Sequence, residues 1–288
     1  MSNSAGGVDV TTFGEDPRPP TSKTQTTPGW LAIRVRRYLP AVAIFIGGLA
    51  MWETAVRVFN IQGFLLPKPT EIATTFVDEF PTVVSAGWFT MKEALGGFLI
   101  GSVLAMSLAL LTARWTIVRD GLMPFAIAIN ATPIIALAPI MNNWFGVTSP
   151  LAKMSIVAVI VFFPVMINMV RGLTEVDEST IELMRSYGAT PLQLLTRVRV
   201  PNSFPFLFSA FKVGTTLSVI AAIVSEYFGG SREALGIYIS QQAALFHFAE
   251  AWSAIVVASV FGILFYLVVA LVERAVMPWH ASIRTITD

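Results

Sequence analysis

The chain has 288 residues, of which 55% are hydrophobic and 13% are charged, whereas an ordinary soluble domain carries about 25% charged residues. This composition excludes a disordered protein and a typical soluble enzyme. The formal net charge of +1 gives no reason to expect a nucleic acid as a partner. The sequence contains no cysteine, and its two histidines, His247 and His280, lie far apart. We therefore expect neither a disulfide nor a metal site.

Two polar tails are predicted at the ends of the chain. Residues 1–29 are rich in Ser, Thr, Pro and Gly, and they lack the apolar core of a signal peptide. Segments of such low hydrophobicity cannot bury enough apolar surface to fold. We therefore expect a disordered cytoplasmic tail over residues 1–37, a membrane domain over residues 38–275, and a second cytoplasmic tail over residues 276–288.

The membrane domain is predicted to be all-α. One span requires about 20 apolar residues, and six segments meet this requirement, at about 38–58, 90–112, 122–141, 151–171, 204–225 and 250–272. The third is broken by Pro133 and Pro139, and the fourth contains Pro164. A proline in a membrane helix frees backbone groups that need partners within the protein. We therefore expect the six spans to form a bundle.

The distribution of basic residues predicts the orientation. If the N-terminus is cytoplasmic, most Lys and Arg residues lie in the tails and in the inside loops, and only Lys68, Lys153 and Arg232 lie in outside loops. Cytoplasmic loops carry the excess of Lys and Arg in membrane proteins. Both termini and the loop of residues 172–203 are therefore predicted to lie in the cytoplasm.

The loop of residues 172–203 is predicted to form two short helices joined by a sharp corner. Thr174 and Asp177 have the spacing of a capping box, and Gly188 fits the left-handed position that ends a helix. Thr190 is typical of an N-cap, and Pro191 is typical of a first helical residue. We expect Pro201 to stop the second helix before the fifth span. From this pattern alone, an amphipathic helix pair lying on the membrane surface is an equal alternative.

The residues of this loop also follow a longer pattern. Glu182 precedes Gly188 by six positions, and the pair Val198 and Val200 precedes Pro201. This spacing resembles the cytoplasmic coupling motif of ABC-importer permeases, in which two alanines follow the acidic residue. The resemblance implies that the loop docks onto an ATPase through a set of residues in and around the motif: Glu182, Leu183, Met184, Gly188, Ala189, Val198, Val200 and Pro201.

Further stretches resemble the branch of these permeases that serves nitrate, sulfonate, taurine and pyrimidine-precursor systems. They are residues 66–69 (Leu-Pro-Lys-Pro), residues 132–139 together with 144–146, and residues 211–226. The resemblance covers about residues 38 to 275. It implies a six-transmembrane-helix ABC type I importer permease with a cytoplasmic coupling helix, in a bacterial-type cell (inner) membrane.

The resemblance implies several partners. The chain has no Gly-x4-Gly-Lys-Ser/Thr phosphate loop, so ATP and Mg would be bound by separate ATPase subunits, and no cofactor is expected on this chain. A second permease subunit, either a second copy or a different chain, would complete the translocation pathway within the lipid bilayer. An extracytoplasmic binding protein would deliver a small solute.

Polar residues inside the spans are candidates for contact with the solute: Asn130, Thr132, Asn168, Ser209, Lys212, Thr215 and Thr216. The last four are predicted to share one face of the fifth span. For Lys212, one hypothesis is that it supplies positive potential to an anionic solute, and the alternative is that it snorkels to the cytoplasmic interface. For each Asn or Thr, the alternative is ordinary hydrogen bonding between helices.

Two other functional classes remain open at this point. A secondary transporter would use an ion gradient and need no ATPase, and inverted repeats would support it, but we find none. An intramembrane enzyme would need paired acids, a histidine cluster or a nucleophile with a base inside the bundle. Besides Lys212, the sequence offers only acids at the predicted ends of spans: Glu53, Glu93, Glu226 and Glu273.

Overall fold

The computed structural model describes residues 30–130 and 132–278, and this part of the chain is helical without any strand. Its α-helices, in chain order, are α1 (Trp30–Val58), α2 (Pro69–Asp78), α3 (Phe80–Arg114), α4 (Thr116–Asn130), α5 (Ala138–Phe145), α6 (Pro150–Thr174), α7 (Glu178–Ser186), α8 (Pro191–Leu194), α9 (Val200–Tyr227), α10 (Leu235–Ala244) and α11 (Phe248–Val276). A 3-10 turn over Ile134–Leu137 precedes α5, and a π turn over Leu195–Arg199 joins α8 to α9.

Five helical stretches are long and apolar enough to cross a membrane, and they contain α1, α3, α6, α9 and α11. A sixth apolar unit consists of the end of α4 and of α5 with its 3-10 turn, which are bent by 82° relative to each other. The predicted break at Pro133 lies at this bend, whereas Pro139 lies in the first turn of α5 and does not interrupt it. All six predicted apolar segments therefore correspond to helical units.

Several boundaries differ from the predictions. α1 begins at Trp30, so residues 30–37 are helical although the tail was predicted to reach residue 37. The rest of the predicted N-terminal tail, and residues 279–288 of the C-terminal tail, lie outside the described residues. α3 begins at Phe80, ten residues before the predicted span. Glu93, predicted near the end of a span, therefore lies well inside a helix.

The described chain divides within α1. Of the described residues, those up to Ala50 belong to one compact unit, and those from Met51 onward form a second unit. All contacts below lie in the second unit.

The centre of the second unit is the packing of α3 against α6 and of α6 against α9. Glycines allow the close approach of the first pair: a Cβ at Gly97 would lie only 2.5 Å from the Cβ of Val157, and one at Gly101 would contact the backbone of Ala158. Gly97 and Gly101 thus form a packing face of α3. Gly262 of α11 makes no such contact, since a Cβ there meets nothing within 4 Å among the described residues.

Candidate functional site

The loop of residues 172–203, which we call the coupling loop after its predicted role, begins at the end of α6. Asp177 caps α7 and accepts hydrogen bonds from the backbone N–H (3.3 Å) and the hydroxyl (2.8 Å) of Ser179. The capping role predicted for Thr174 is wrong, because α6 continues through this residue. Its hydroxyl donates to the Val170 carbonyl of the preceding turn (2.9 Å). Asp177 alone therefore starts the helix that carries Glu182.

The corner between α7 and α8 is a Schellman motif. Gly188 has φ +73°, its N–H donates to the Arg185 carbonyl (2.9 Å), and the N–H of Ala189 donates to the Met184 carbonyl (3.0 Å). This pair of bonds is the one expected after a left-handed residue at a helix end. The left-handed prediction for Gly188 is confirmed, and the structure adds a role for Ala189 as the second donor.

The second loop helix begins as predicted but does not end as predicted. Thr190 and Gln193 form a reciprocal capping box, and Pro191 is the first residue of α8. Pro201 was expected to stop the helix, but the chain remains helical from Pro191 to Tyr227. The π turn explains this difference, because the Val200 N–H bonds to Leu195, five residues back. The widened turn lets the helix pass a proline that lacks an N–H donor.

The loop is held firmly at its base. Asn202 donates from its side-chain amide to the carbonyls of Gly172 (2.8 Å) and Glu175 (3.0 Å), and so ties the exit of the loop to its entry. Gly172 permits this contact, since a Cβ there would lie 2.6 Å from the Ser203 Cα. Asn202 was missed by the sequence analysis, because its partners lie 27 and 30 residues away.

The tip of the loop carries large apolar side chains that are exposed to solvent. Leu183 is 56% exposed, Tyr187 is 80% exposed and Leu192 is 68% exposed. Leu183 and Tyr187 are four residues apart and therefore share a face of α7; Glu182 beside them is also exposed. In contrast, the distal motif residues Val198, Val200 and Pro201 are partly buried. The motif thus contains an exposed half and a half that packs against the bundle.

The predicted pathway residues separate into two groups. Ser209, Lys212 and Thr216 line an open groove between α9 and α11, to which Tyr266 also contributes. We call it the α9–α11 groove; its further part encloses about 550 Å³ and is lined mainly by apolar residues of α9, α10 and α11. Thr215 is fully buried and donates to the Lys212 carbonyl (2.8 Å), so it does not share this face.

Lys212 forms an ion pair across the groove wall. Its ammonium lies 2.9 and 3.0 Å from the two carboxylate oxygens of Glu273 on α11. The lysine side chain is 25% exposed and the glutamate side chain is 14% exposed. The pairing with Glu273 was not predicted from the sequence, which offered Lys212 either as a source of positive potential for an anionic solute or as a snorkelling side chain.

The other candidates are not brought to the α9–α11 groove. The Asn168 side chain donates to the Pro164 carbonyl of its own helix (2.8 Å). Asn130 and Thr132 are exposed at the bend after α4. Neither of them is among the described residues that line the groove.

A buried polar cluster was not predicted. Glu226 at the end of α9 is fully buried, and so are its neighbours Thr90 and Glu93 of α3 and Lys153 of α6. Lys153 was expected in an outside loop, but its ammonium donates to the Asn142 side chain (2.9 Å) and to the Val147 carbonyl. α3 begins ten residues before the predicted span, so Thr90 and Glu93 lie well inside this helix and not at its end, and Lys153 lies in the first turn of α6.

The cluster offers no room for a substrate. The cavity that borders Thr90 holds about 10 Å³, which is about the size of one water molecule. Of the other acids at predicted span ends, Glu273 pairs with Lys212, and Glu53 accepts from the backbone and hydroxyl of Thr70 and lies 2.6 Å from Arg57. In the described part of the chain, no group of three or more His, Cys, Asp or Glu side chains is placed to hold a metal ion.

Comparison with known proteins places this geometry in a family. Residues 97–279 match the model of the family described as "Binding-protein-dependent transport system inner membrane component". The formylaminopyrimidine transport permease protein ThiX of Halalkalibacterium halodurans is 30% identical over 246 residues, which cover 84% of this chain and 96% of that protein. The riboflavin transport system permease protein RibX of Chloroflexus aurantiacus is 30% identical over 81% of this chain and 87% of its own length.

A solved structure shares the fold. The crystal structure of an amino acid ABC transporter with histidines superposes with a TM-score of 0.56 at 20% identity, over 69% of this chain and 96% of that chain. These findings confirm the predicted all-α importer-permease fold and the predicted transport class, and they favour it over a secondary transporter or an enzyme. The chain belongs to the family of inner-membrane permease components of binding-protein-dependent transport systems.

Proposed function

We propose that residues 172–203 dock this permease onto separate ATPase subunits, and that ATP binding and hydrolysis there drive import. The observation that carries the proposal is the loop itself. It has a capped helix, a Schellman corner and a second capped helix, and Asn202 ties its two ends together. A rigid loop of this kind can transmit the movement of a bound partner to the bundle, whereas a flexible loop cannot. The exposed Leu183, Tyr187 and Leu192 supply apolar contact area for a partner.

In this proposal, the loop of residues 172–203 faces the cytoplasm. Arg171, Arg185, Arg197 and Arg199 all lie in or beside the loop, and such an excess of arginine favours the cytoplasmic side. Both termini then lie in the cytoplasm as well. ATP is available on that side of the membrane, as an ATPase partner requires.

The α9–α11 groove is proposed as this subunit's share of the translocation pathway. It carries the hydroxyls of Ser209, Thr216 and Tyr266 on a mainly apolar wall, and a second permease subunit would close it. The Lys212–Glu273 pair has no net charge, so the groove has no free lysine charge to attract an anion. Relatives are named for formylaminopyrimidine, riboflavin and taurine transport. A small organic solute delivered by an external binding protein therefore fits best.

Two matched charge reversals test the docking proposal. Glu182→Lys changes an exposed acid of the docking surface, and Glu233→Lys changes an exposed acid of the loop between α9 and α10. With ATPase subunits co-expressed, we expect Glu182→Lys to weaken their co-purification and to reduce uptake, while Glu233→Lys leaves co-purification unchanged. Normal ATPase association and uptake in the Glu182→Lys complex would refute the proposed docking surface.

A further inference from the structure

The N-terminus of α10 is bonded to side chains of two other helices. The Gly236 N–H donates to one carboxylate oxygen of Glu226 (2.6 Å), and the Leu235 N–H donates to the hydroxyl of Thr90 (2.9 Å). Thr90 in turn donates to the other oxygen of Glu226 (2.7 Å). The first backbone N–H groups of a helix have no partner within the helix, so α3 and α9 together supply what α10 lacks.

These bonds lie out of contact with solvent. Glu226 is 0% exposed and Thr90 is 2% exposed. A buried donor or acceptor left without a partner costs about 1–3 kcal/mol. The attachment of α10 is therefore specific, and it depends on a hydroxyl and a carboxylate that ordinary helix packing does not need.

Helix α10 also borders the α9–α11 groove. Ile239 of α10 lines the groove beside Ile223 and Tyr227 of α9 and Ile255 of α11. Leu235 and Ile239 of α10 also pack against α3 and α11 in one apolar cluster with Val83 and Val257. A movement of α10 would therefore change the width of the groove at this end.

The same helix that holds α10 also carries the coupling loop. The chain is helical from Pro191 to Tyr227, a run of 37 residues, which at 1.5 Å per residue is about 55 Å long. Leu192 of the docking surface lies at one end of this run, where the Schellman corner joins it to α7, and Glu226 lies at the other end. A displacement of the loop can thus reach the attachment of α10 through one continuous helix.

We propose that Glu226 and Thr90 are positioning residues that hold α10 as a gate at the end of the α9–α11 groove remote from the coupling loop. The attachment through α9 links this gate to the ATPase side. The proposal rests on the proposed function, since it needs the groove to be part of the pathway and the loop to dock an ATPase.

The first test removes the Thr90 hydroxyl without changing the shape of the side chain. The variants are Thr90→Val and, as the matched control that keeps a hydroxyl, Thr90→Ser. In complexes reconstituted with the ATPase and binding protein, we expect Thr90→Val to lower the amount of solute imported per ATP hydrolysed by about tenfold or more, because the variant loses two buried hydrogen bonds, from the Thr90 hydroxyl to Glu226 and from the Leu235 N–H to Thr90. Thr90→Ser should restore the wild-type ratio.

The outcomes of this test are distinct. An unchanged ratio of import to hydrolysis in Thr90→Val overturns the gate. A loss of assembly in Thr90→Val shows a merely structural role for this residue and also overturns its positioning role. If wild-type chains fail to bind the ATPase at all, the proposed function itself fails. This failure is seen in the wild type and is therefore distinct from a failure of the gate, which is seen in Thr90→Val.

A second test prevents the movement of α10 with a cross-link to α9. The chain contains no cysteine, so the pair Ile223→Cys and Ile239→Cys would be the only thiols on α9 and α10; both positions line the same end of the groove. We expect oxidation to a cross-link to stop uptake without releasing the ATPase, and reduction to restore it. A cross-linked complex that imports at the normal rate would show that α10 does not move and would overturn the proposal.

Discussion

Gly188 provides the sharpest test of the coupling loop, because its environment isolates one physical effect. Its φ is +73°, yet a Cβ added there would meet nothing within 4 Å. A substitution therefore costs backbone strain and causes no steric clash with the rest of the protein. For a residue other than glycine, the left-handed conformation costs about 1–2 kcal/mol, and β-branched residues tolerate it least.

Backbone strain at Gly188 acts on the two hydrogen bonds of the Schellman motif. If the corner relaxes to a negative φ, the bonds from Gly188 to Arg185 and from Ala189 to Met184 cannot both persist. A free-energy difference of 1–2 kcal/mol changes a two-state population by about 5- to 30-fold. The apparent affinity of a partner falls in proportion to the fraction of molecules that keep the competent corner.

We therefore predict a graded series at this position. Gly188→Asn should retain most ATPase binding, because asparagine tolerates the left-handed region, whereas Gly188→Ala should weaken it and Gly188→Val should weaken it most. The measurement is a titration of ATPase subunits onto the purified permease, together with uptake in vesicles. Membrane insertion should be normal in all three variants.

Gly48→Val serves as the control, since a Cβ at Gly48 also meets nothing within 4 Å but this glycine lies inside α1 without a positive φ. It should bind the ATPase like the wild type. Equal binding by Gly188→Asn and Gly188→Val would refute the reasoning, because it would mean that backbone strain at the corner does not control docking.

Two further predictions concern the bundle. Lys212→Met should lower the thermal unfolding temperature in detergent, because it leaves the partly buried Glu273 without its ammonium partner, and the double variant Lys212→Met/Glu273→Gln should recover much of the loss; a double variant less stable than the single one would contradict this account. Because the chain has no cysteine, the single variants Ser186→Cys and Ser231→Cys each carry one thiol. A membrane-impermeant reagent should label Ser186→Cys only from the cytoplasmic side and Ser231→Cys only from the opposite side. Labelling of both from one side would contradict the predicted orientation of the spans.

The features that sequence reasoning identified correctly are local. Gly188 ends α7, and Thr190 with Pro191 begins α8, because the relevant bonds join residues within five positions of each other. Local backbone chemistry settles such features regardless of the rest of the fold. The same holds for the six apolar segments, each of which is recognised by its own composition.

The features that were missed depend on residues far apart in the chain. Lys212 and Glu273 are 61 positions apart, and Thr90 and Glu226 are 136 positions apart. No periodicity in the sequence connects such pairs. One signal was available: Pro81 lies in the first turn of α3, as is typical of a helix start. An earlier start for this helix would have placed Glu93 inside the bundle.

The error at Pro201 is the most informative for mechanism. A helix that stopped there would have left a flexible joint between the coupling loop and the fifth span. The π turn over Leu195–Arg199 instead carries the helix past the proline. A proline inside a helix removes one hydrogen bond and crowds the preceding turn. Pro205 follows Pro201 by one turn inside α9, so the region from the π turn to Pro205 is the softest part of the helical run. A displacement of the docking residues should therefore bend the helix in this region and move the rest of α9, up to Glu226, as one body.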